Sequence, residues 1–182
     1  MLRELIVAAI AAMAIAPAAG APAQDPENTL YMDLASGRVV IRLRPDLAPE
    51  HVKRLKQLTR EGFYDGVVFH RVIEGFMAQT GDPTGTGSGG SKLPDLKAEF
   101  SKEPFRRGTL GMARTANPNS ANSQFFICFK DASWLNNQYT VVGEVVQGME
   151  LVDKIKRGQG QSGSVPPPQD KIVKMQVAAD AK

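Results

Sequence analysis

Apolar and polar positions alternate with period two near the start of the chain. Leu30, Met32 and Leu34 alternate with Thr29, Tyr31 and Asp33. After Ser36-Gly37, Val39, Ile41 and Leu43 alternate with Val40, Arg42 and Arg44. Two such runs joined by a turn predict a half-buried antiparallel hairpin over residues 28–44, ended by Pro45. The period then lengthens. Val52, Leu55 and Leu58 fall on one side of a helix over 49–61, with Lys53, Arg54, Lys56 and Arg60 turned to water. Pro49 suits the first helical position and Glu50 the positive end of the helix dipole, while Gly62 supplies the left-handed stop. His51, at the start of this helix, is expected to be solvated.

Two stretches further on are denser. In FHRVIEGFMAQTGD (69–82), Phe69, Val72, Ile73, Phe76 and Met77 surround Arg71, with Gln79 close behind. In NSQFFICF (122–129), Gln124 leads Phe125, Phe126, Ile127, Cys128 and Phe129. Both are rich in β-branched and aromatic residues and read as strands, with Gly75 resetting the register of the first. Alternation puts Arg71 and Ile73 on one face and Val72 on the other. If the two runs share a sheet, a cation and two amides stand beside a Phe/Met pocket. Further strands are predicted at 108–113, 140–146 (Gly143 suggesting a bulge) and 171–178, and a second helix over 148–156. About eight short strands and two helices in one domain predict a mainly β chain: a closed eight-stranded antiparallel barrel capped by two α-helices.

The length of 182 residues suits one domain. Residues 1–23 are set apart from it. Leu5 to Ala16 is an apolar run behind Arg3, ending in small residues and Ala21-Pro22-Ala23. It falls short of the ~20 residues a membrane span needs but suits a cleaved signal peptide. Removal after Ala23 would leave 24–182 as the mature domain, periplasmic or secreted and without stable membrane association. The cut takes away one base and one acid, so the net charge of +3 is unchanged. Lys and Arg are scattered rather than clustered, which argues against nucleic-acid binding. One cysteine permits no disulfide framework.

The available chemistry is narrow. No G-x-S-x-G is present, and two histidines with one cysteine make neither a hydrolase nor a convincing zinc site. The glycines of GTGSGG (85–90) fit a dinucleotide fingerprint, but Pro94 follows and no helix opens behind them. What remains needs only a pocket, a donor and exclusion of water. Rotation about an X–Pro bond is such a reaction, its barrier of ~18–20 kcal/mol arising from amide resonance.

FHRVIEGFMAQTGD, GTLGMAR and NSQFFICF, followed by Trp134-Leu135, resemble the cyclophilins, a family of peptidyl-prolyl cis–trans isomerases, from about Thr29 to Ala178. The resemblance implies an isomerase acting on X–Pro bonds without a cofactor, expected to be a monomer; taken with the signal-like N-terminus, the expectation is a bacterial, exported enzyme acting on exported proteins as they fold. It implies Arg71 as the catalytic residue, donating a hydrogen bond to the imide nitrogen. Phe76, Met77, Phe126 and Leu135 match the proline pocket. Gln79 and Gln124 match groups that position the substrate backbone, and Ala113 lines the groove. Trp134 matches the tryptophan associated with cyclosporin, so binding of that drug is expected. Arg114 and Tyr139, also at the groove, stand where many members have asparagine and histidine. Both changes bear on substrate preference and drug affinity.

Overall fold

The computed structural model describes residues 25–182; the signal-peptide reading of residues 1–23 lies outside them. The hairpin forms as β1 (Thr29–Leu34) and β2 (Gly37–Leu43), with Leu30 opposite Ile41 and Met32 opposite Val39. Helix α1 runs Pro49–Arg60. The first dense stretch is two strands rather than one, β3 (Arg71–Ile73) and β4 (Met77–Thr80), because Gly75 takes a φ of 70° in the turn between them. They are followed by β5 (Thr109–Met112), β6 (Phe125–Cys128), β7 (Val141–Gln147), the short α2 (Met149–Val152) and β8 (Lys174–Val177).

All pairings are antiparallel, in the order β3-β4-β6-β5-β7-β2-β1-β8. The eight strands are therefore as expected but the barrel is not closed. It is an open half-barrel with β3 and β8 at its ends; the segments that precede them meet at an isolated bridge between Val68 and Lys171, beside which Gly66 N–H donates to Ile172 O (2.7 Å). The reason lies in the loop before β8. Val72 N–H donates to Gly163 O (2.8 Å), Gly158 N–H to Val72 O (2.8 Å) and Val165 N–H to His70 O (3.0 Å). The free edge of β3 is thus satisfied by this loop, leaving no ladder for β8.

The bulge near Gly143 is present: Leu110 faces Gly143 while Gly111 faces Val141, so Val142 is the extra residue. A side chain at Gly143 would stand 2.5 Å from Arg42 O. The second helix is shorter than its apolar spacing predicts. After Val152 the chain tightens into turns, Lys154 N–H to Leu151 O and Ile155 N–H to Val152 O (both 3.1 Å), as it bends toward β3.

Two residues of α1 are not where periodicity puts them. His51 is fully buried and Arg54 nearly so. The segment 93–99 crosses this face of the helix. Arg54 Nη2 donates to Pro94 O (2.8 Å), and the Glu99 carboxylate accepts from the Glu50 and His51 amides (3.2 and 3.1 Å) and from His51 Nδ1 (2.5 Å). Glu99 therefore caps the helix from a distant part of the chain. Burial opposes the charged form of both partners. For Glu99, the hydrogen bonds from the His51 ring and from the two amides outweigh that penalty and hold its pKa low. For His51, burial prevails and lowers its pKa.

Strand β6 divides the apolar interior. Phe125 and Ile127 enter the main core with Leu30, Met32, Ile41, Leu55, Tyr64 and Phe69. Phe126 and Cys128, on the other face, join a smaller cluster of Met77, Phe105, Ala132, Leu135 and Val141. All four residues of β6 are buried, which explains an unbroken apolar run where one solvated face would have given alternation.

Candidate active site

The second cluster is the floor of a groove. Register places Arg71 opposite Gln79 and Gln79 opposite Phe126, with Gly111 next in line on β5. Four neighbouring strands thus present a cation, an amide, an aromatic ring and a glycine in one row. Glycine is required at the fourth place, since a Cβ on Gly111 would lie 2.5 Å from both Phe105 Cε1 and Phe126 Cζ. The rings of Phe105 and Phe126 stack there with centroids 5.7 Å apart.

Arg71 is fixed at both ends of its guanidinium. Nε donates to Ser162 O (3.0 Å) and Nη1 to Gln79 Oε1 (3.1 Å). Gln79 Nε2 donates to Gln124 Oε1 (2.9 Å), and Gln124 Nε2 donates to the carbonyls of Gly87 (3.0 Å) and Gly89 (2.8 Å). These bonds orient both amides and leave Arg71 Nη2 with no hydrogen-bond acceptor among the described residues. The glycine loop that resembles a nucleotide fingerprint is therefore the anchor of the relay. The loop is itself organised by Asp82, a fully buried carboxylate that accepts from the amides of Thr84, Gly87 and Gly89 and from the Thr84 hydroxyl. Burial alone would raise its pKa; those donors outweigh it and hold the value at about 2.

Beside Arg71 lies a cavity of about 340 Å³, lined by Arg71, Phe76, Met77, Gln79, Ala113, Arg114, Phe126, Trp134, Leu135 and Tyr139. Ten of the eleven residues expected at the site thus share one cavity. The eleventh, Gln124, lines an adjoining cavity of about 530 Å³ with Gln79, Ala113, Arg114 and the 87–91 loop. Met77, Phe126 and Leu135 are buried, whereas Trp134 is 57% exposed and tilts against Phe76 with centroids 5.4 Å apart. Tyr139 meets Phe126 edge-on (5.9 Å) and carries the Arg114 guanidinium on its face, 4.4 Å from the ring centroid.

Among the described residues, no serine, threonine, cysteine or histidine lines the cavity beside Arg71. Cys128 lies beneath it, but burial pushes its thiol up to about 12. His70 is buried under the loop, and burial lowers its pKa too, keeping the ring neutral. Sequence reasoning missed Phe105, Gly111 and Asp82 as supports. The glycine inside the GTLGMA strand was the available signal for Gly111; Asp82 and Phe105 carry none that local pattern reveals.

The cyclophilin type peptidyl-prolyl cis-trans isomerase family model matches residues 29–177. A probable peptidyl-prolyl cis-trans isomerase of Brucella suis is 57% identical, covering 98% of this chain and 96% of its own length. The human peptidyl-prolyl cis-trans isomerase-like 1 is 36% identical over 82% of this chain and 92% of its own. Among solved structures, a cyclophilin of Hirschia baltica superposes with a TM-score of 0.76 at 26% identity, over 87% of this chain and 76% of that one. A cyclophilin type isomerase of Cryptosporidium parvum, crystallised in the presence of the dipeptide Ala-Pro, gives 0.74 at 28% identity, over 82% and 98%. With a match spanning every strand of the half-barrel and an apolar groove flanked by a tethered arginine, this chain belongs to the cyclophilin-type peptidyl-prolyl cis–trans isomerases.

Proposed function

We propose that this groove isomerises X–Pro bonds by hydrogen bonding from Arg71 to the imide nitrogen, and that its clients are exported proteins. The observation that carries the mechanism is Arg71 itself: a guanidinium fixed by Ser162 O and Gln79 Oε1, with Nη2 unengaged beside a cavity that Phe76, Met77, Phe126 and Leu135 help to line. Phe76, Met77, Phe126 and Leu135 grip the proline ring, and Gln79 and Gln124 hold the flanking carbonyls. As the bond twists, resonance is lost and the imide nitrogen becomes a better acceptor, so the donor stabilises the twisted form more than either planar isomer. Each ~1.4 kcal/mol of that preference is tenfold in rate. Preorganisation by the glutamine relay lets the donor act without rearrangement during the twist. Trp134, exposed at the cavity rim, is the proposed contact for cyclosporin.

Placement outside the cytoplasm rests on residues 1–23. The Brucella suis relative aligns over 98% of this chain, so most of that apolar segment has a counterpart there.

Isomerisation of a short X–Pro peptide by residues 24–182, beside Arg71→Ala, tests the mechanism. The variant should lose about two decades in kcat/KM, or ~2.7 kcal/mol, while keeping most of its peptide affinity. Wild-type exchange no faster than buffer, with peptide still bound, would instead mark a proline-binding module.

A further inference from the structure

Resting on the isomerase reading above, we infer that Arg114 makes this groove select prolines flanked by an acidic side chain. Arg114 occupies the saddle between the two cavities and lines both, together with Gln79 and Ala113. Its guanidinium is pinned in place. Nε and Nη2 both donate to Gln138 O (3.0 and 2.7 Å), Nη1 donates to Thr115 O (2.9 Å), and the plane lies over the Tyr139 ring. The Gln138 carbonyl is presented by a turn in which Asn137 holds a left-handed φ of 58°.

All of these partners are neutral. Among the described residues neither Arg114 nor Arg71 makes an ion pair with a carboxylate, although Arg38, Arg42, Arg44, Arg60, Arg107 and Arg157 all do. Among the described residues, none with an acidic side chain lines the smaller cavity. Asp95, the one acid that lines the larger cavity among the described residues, accepts from Asn122 Nδ2 (3.0 Å). Two uncompensated cations thus stand on the proline cavity, and the single carboxylate is displaced to the far side of the saddle. A polypeptide with its proline in the smaller cavity and its chain crossing the saddle passes a fixed guanidinium. A Glu or Asp a residue or two from the proline would meet a cation already immobilised, so little side-chain entropy is lost on pairing. A basic side chain there would meet like charge.

The test compares peptides that differ only in Glu, Gln or Lys, placed one or two residues before or after the proline. For the mature wild-type chain, kcat/KM for the best-placed Glu should exceed that for Gln by about threefold to fivefold, the range of a partly solvated pair, and the ratio should shrink at high salt. In Arg114→Gln the ratio should fall to about one, in Arg114→Lys much of it should return, and in Arg114→Glu the order should reverse in favour of Lys. Each ratio is taken within one protein, so a general loss from a loosened loop cancels. A wild-type ratio near one at every placement, or a preference that survives in Arg114→Gln, overturns the inference. If the wild type isomerises none of the peptides, the isomerase reading fails, and the same ratios read from peptide Kd decide the selectivity. Absence of binding by every peptide overturns both.

Discussion

At the scale of single residues, the site depends on one place where a side chain is missing. Gly111 lets the rings of Phe105 and Phe126 stack beneath the smaller cavity, and any Cβ there would stand 2.5 Å from both. Gly111→Ala should destabilise the fold by about 1–3 kcal/mol, as overpacking does in a filled core. It should also lower isomerase activity, because Phe126 must shift with the floor it forms. Denaturant midpoints and kcat/KM measured together check this, and an unchanged pair of values would show that the rings yield freely. Arg71 and Phe126 were visible as residues of interest in the sequence, since a lone arginine among aromatic residues invites a function. Phe105 was not, because nothing near it in the chain marks which ring it will stack upon.

At the scale of elements, helix α1 shows how a distant segment can overrule local pattern. Periodicity correctly gave its length and its Val52, Leu55 and Leu58 face, and wrongly turned His51 and Arg54 to water. The crossing strap 93–99 pairs with both, and its contact with the helix links residues nearly fifty apart. The pairing has a consequence for pH. Burial lowers the pKa of His51 below its ordinary 6.5 and keeps the ring neutral in the fold. The unfolded chain then binds the proton first, so the stability this ring contributes is present above about 6.5 and is lost as pH falls toward its folded value. Glu99, also lowered, acts in the same direction from 4.5 downward. Chemical denaturation between about pH 7.5 and 5 should therefore show stability falling with acidification, and His51→Asn should reduce the slope. Stability that rises toward pH 5 would contradict a neutral, buried His51. Buried His70, its pKa lowered by the same cause, adds to the slope and remains in that variant.

At the scale of the whole molecule, the half-barrel is a platform with two unlike faces. Its inner face packs the main core, and its outer face, through β3, β4, β6 and β5, carries the groove. The loop that satisfies the edge of β3 also supplies Ser162 O to Arg71, so the opening of the barrel and the positioning of this guanidinium share one segment. The proposed export of this platform has its own check. Sequencing the N-terminus of the protein recovered outside the cytoplasm should begin at Gln24, and a soluble cytoplasmic form that retains Met1 would remove the signal-peptide reading.

The sequence by itself determined the elements that rest on short-range periodicity: the hairpin, α1, the groove strands and the bulge at Gly143. Its three linked motifs also carried the resemblance to the family, and it was that resemblance, position by position, that singled out eleven residues for the groove. Tertiary structure decided what depends on contacts between distant segments. The loop at 158–165 leaves the sheet open by taking hydrogen bonds that closure would need. The strap at 93–99 buries a histidine and an arginine, and Asp82 turns a glycine run into the anchor of Gln124. Each is a polar or backbone group satisfied from far along the chain, and burial makes such satisfaction obligatory without leaving a local periodicity that would announce the partner.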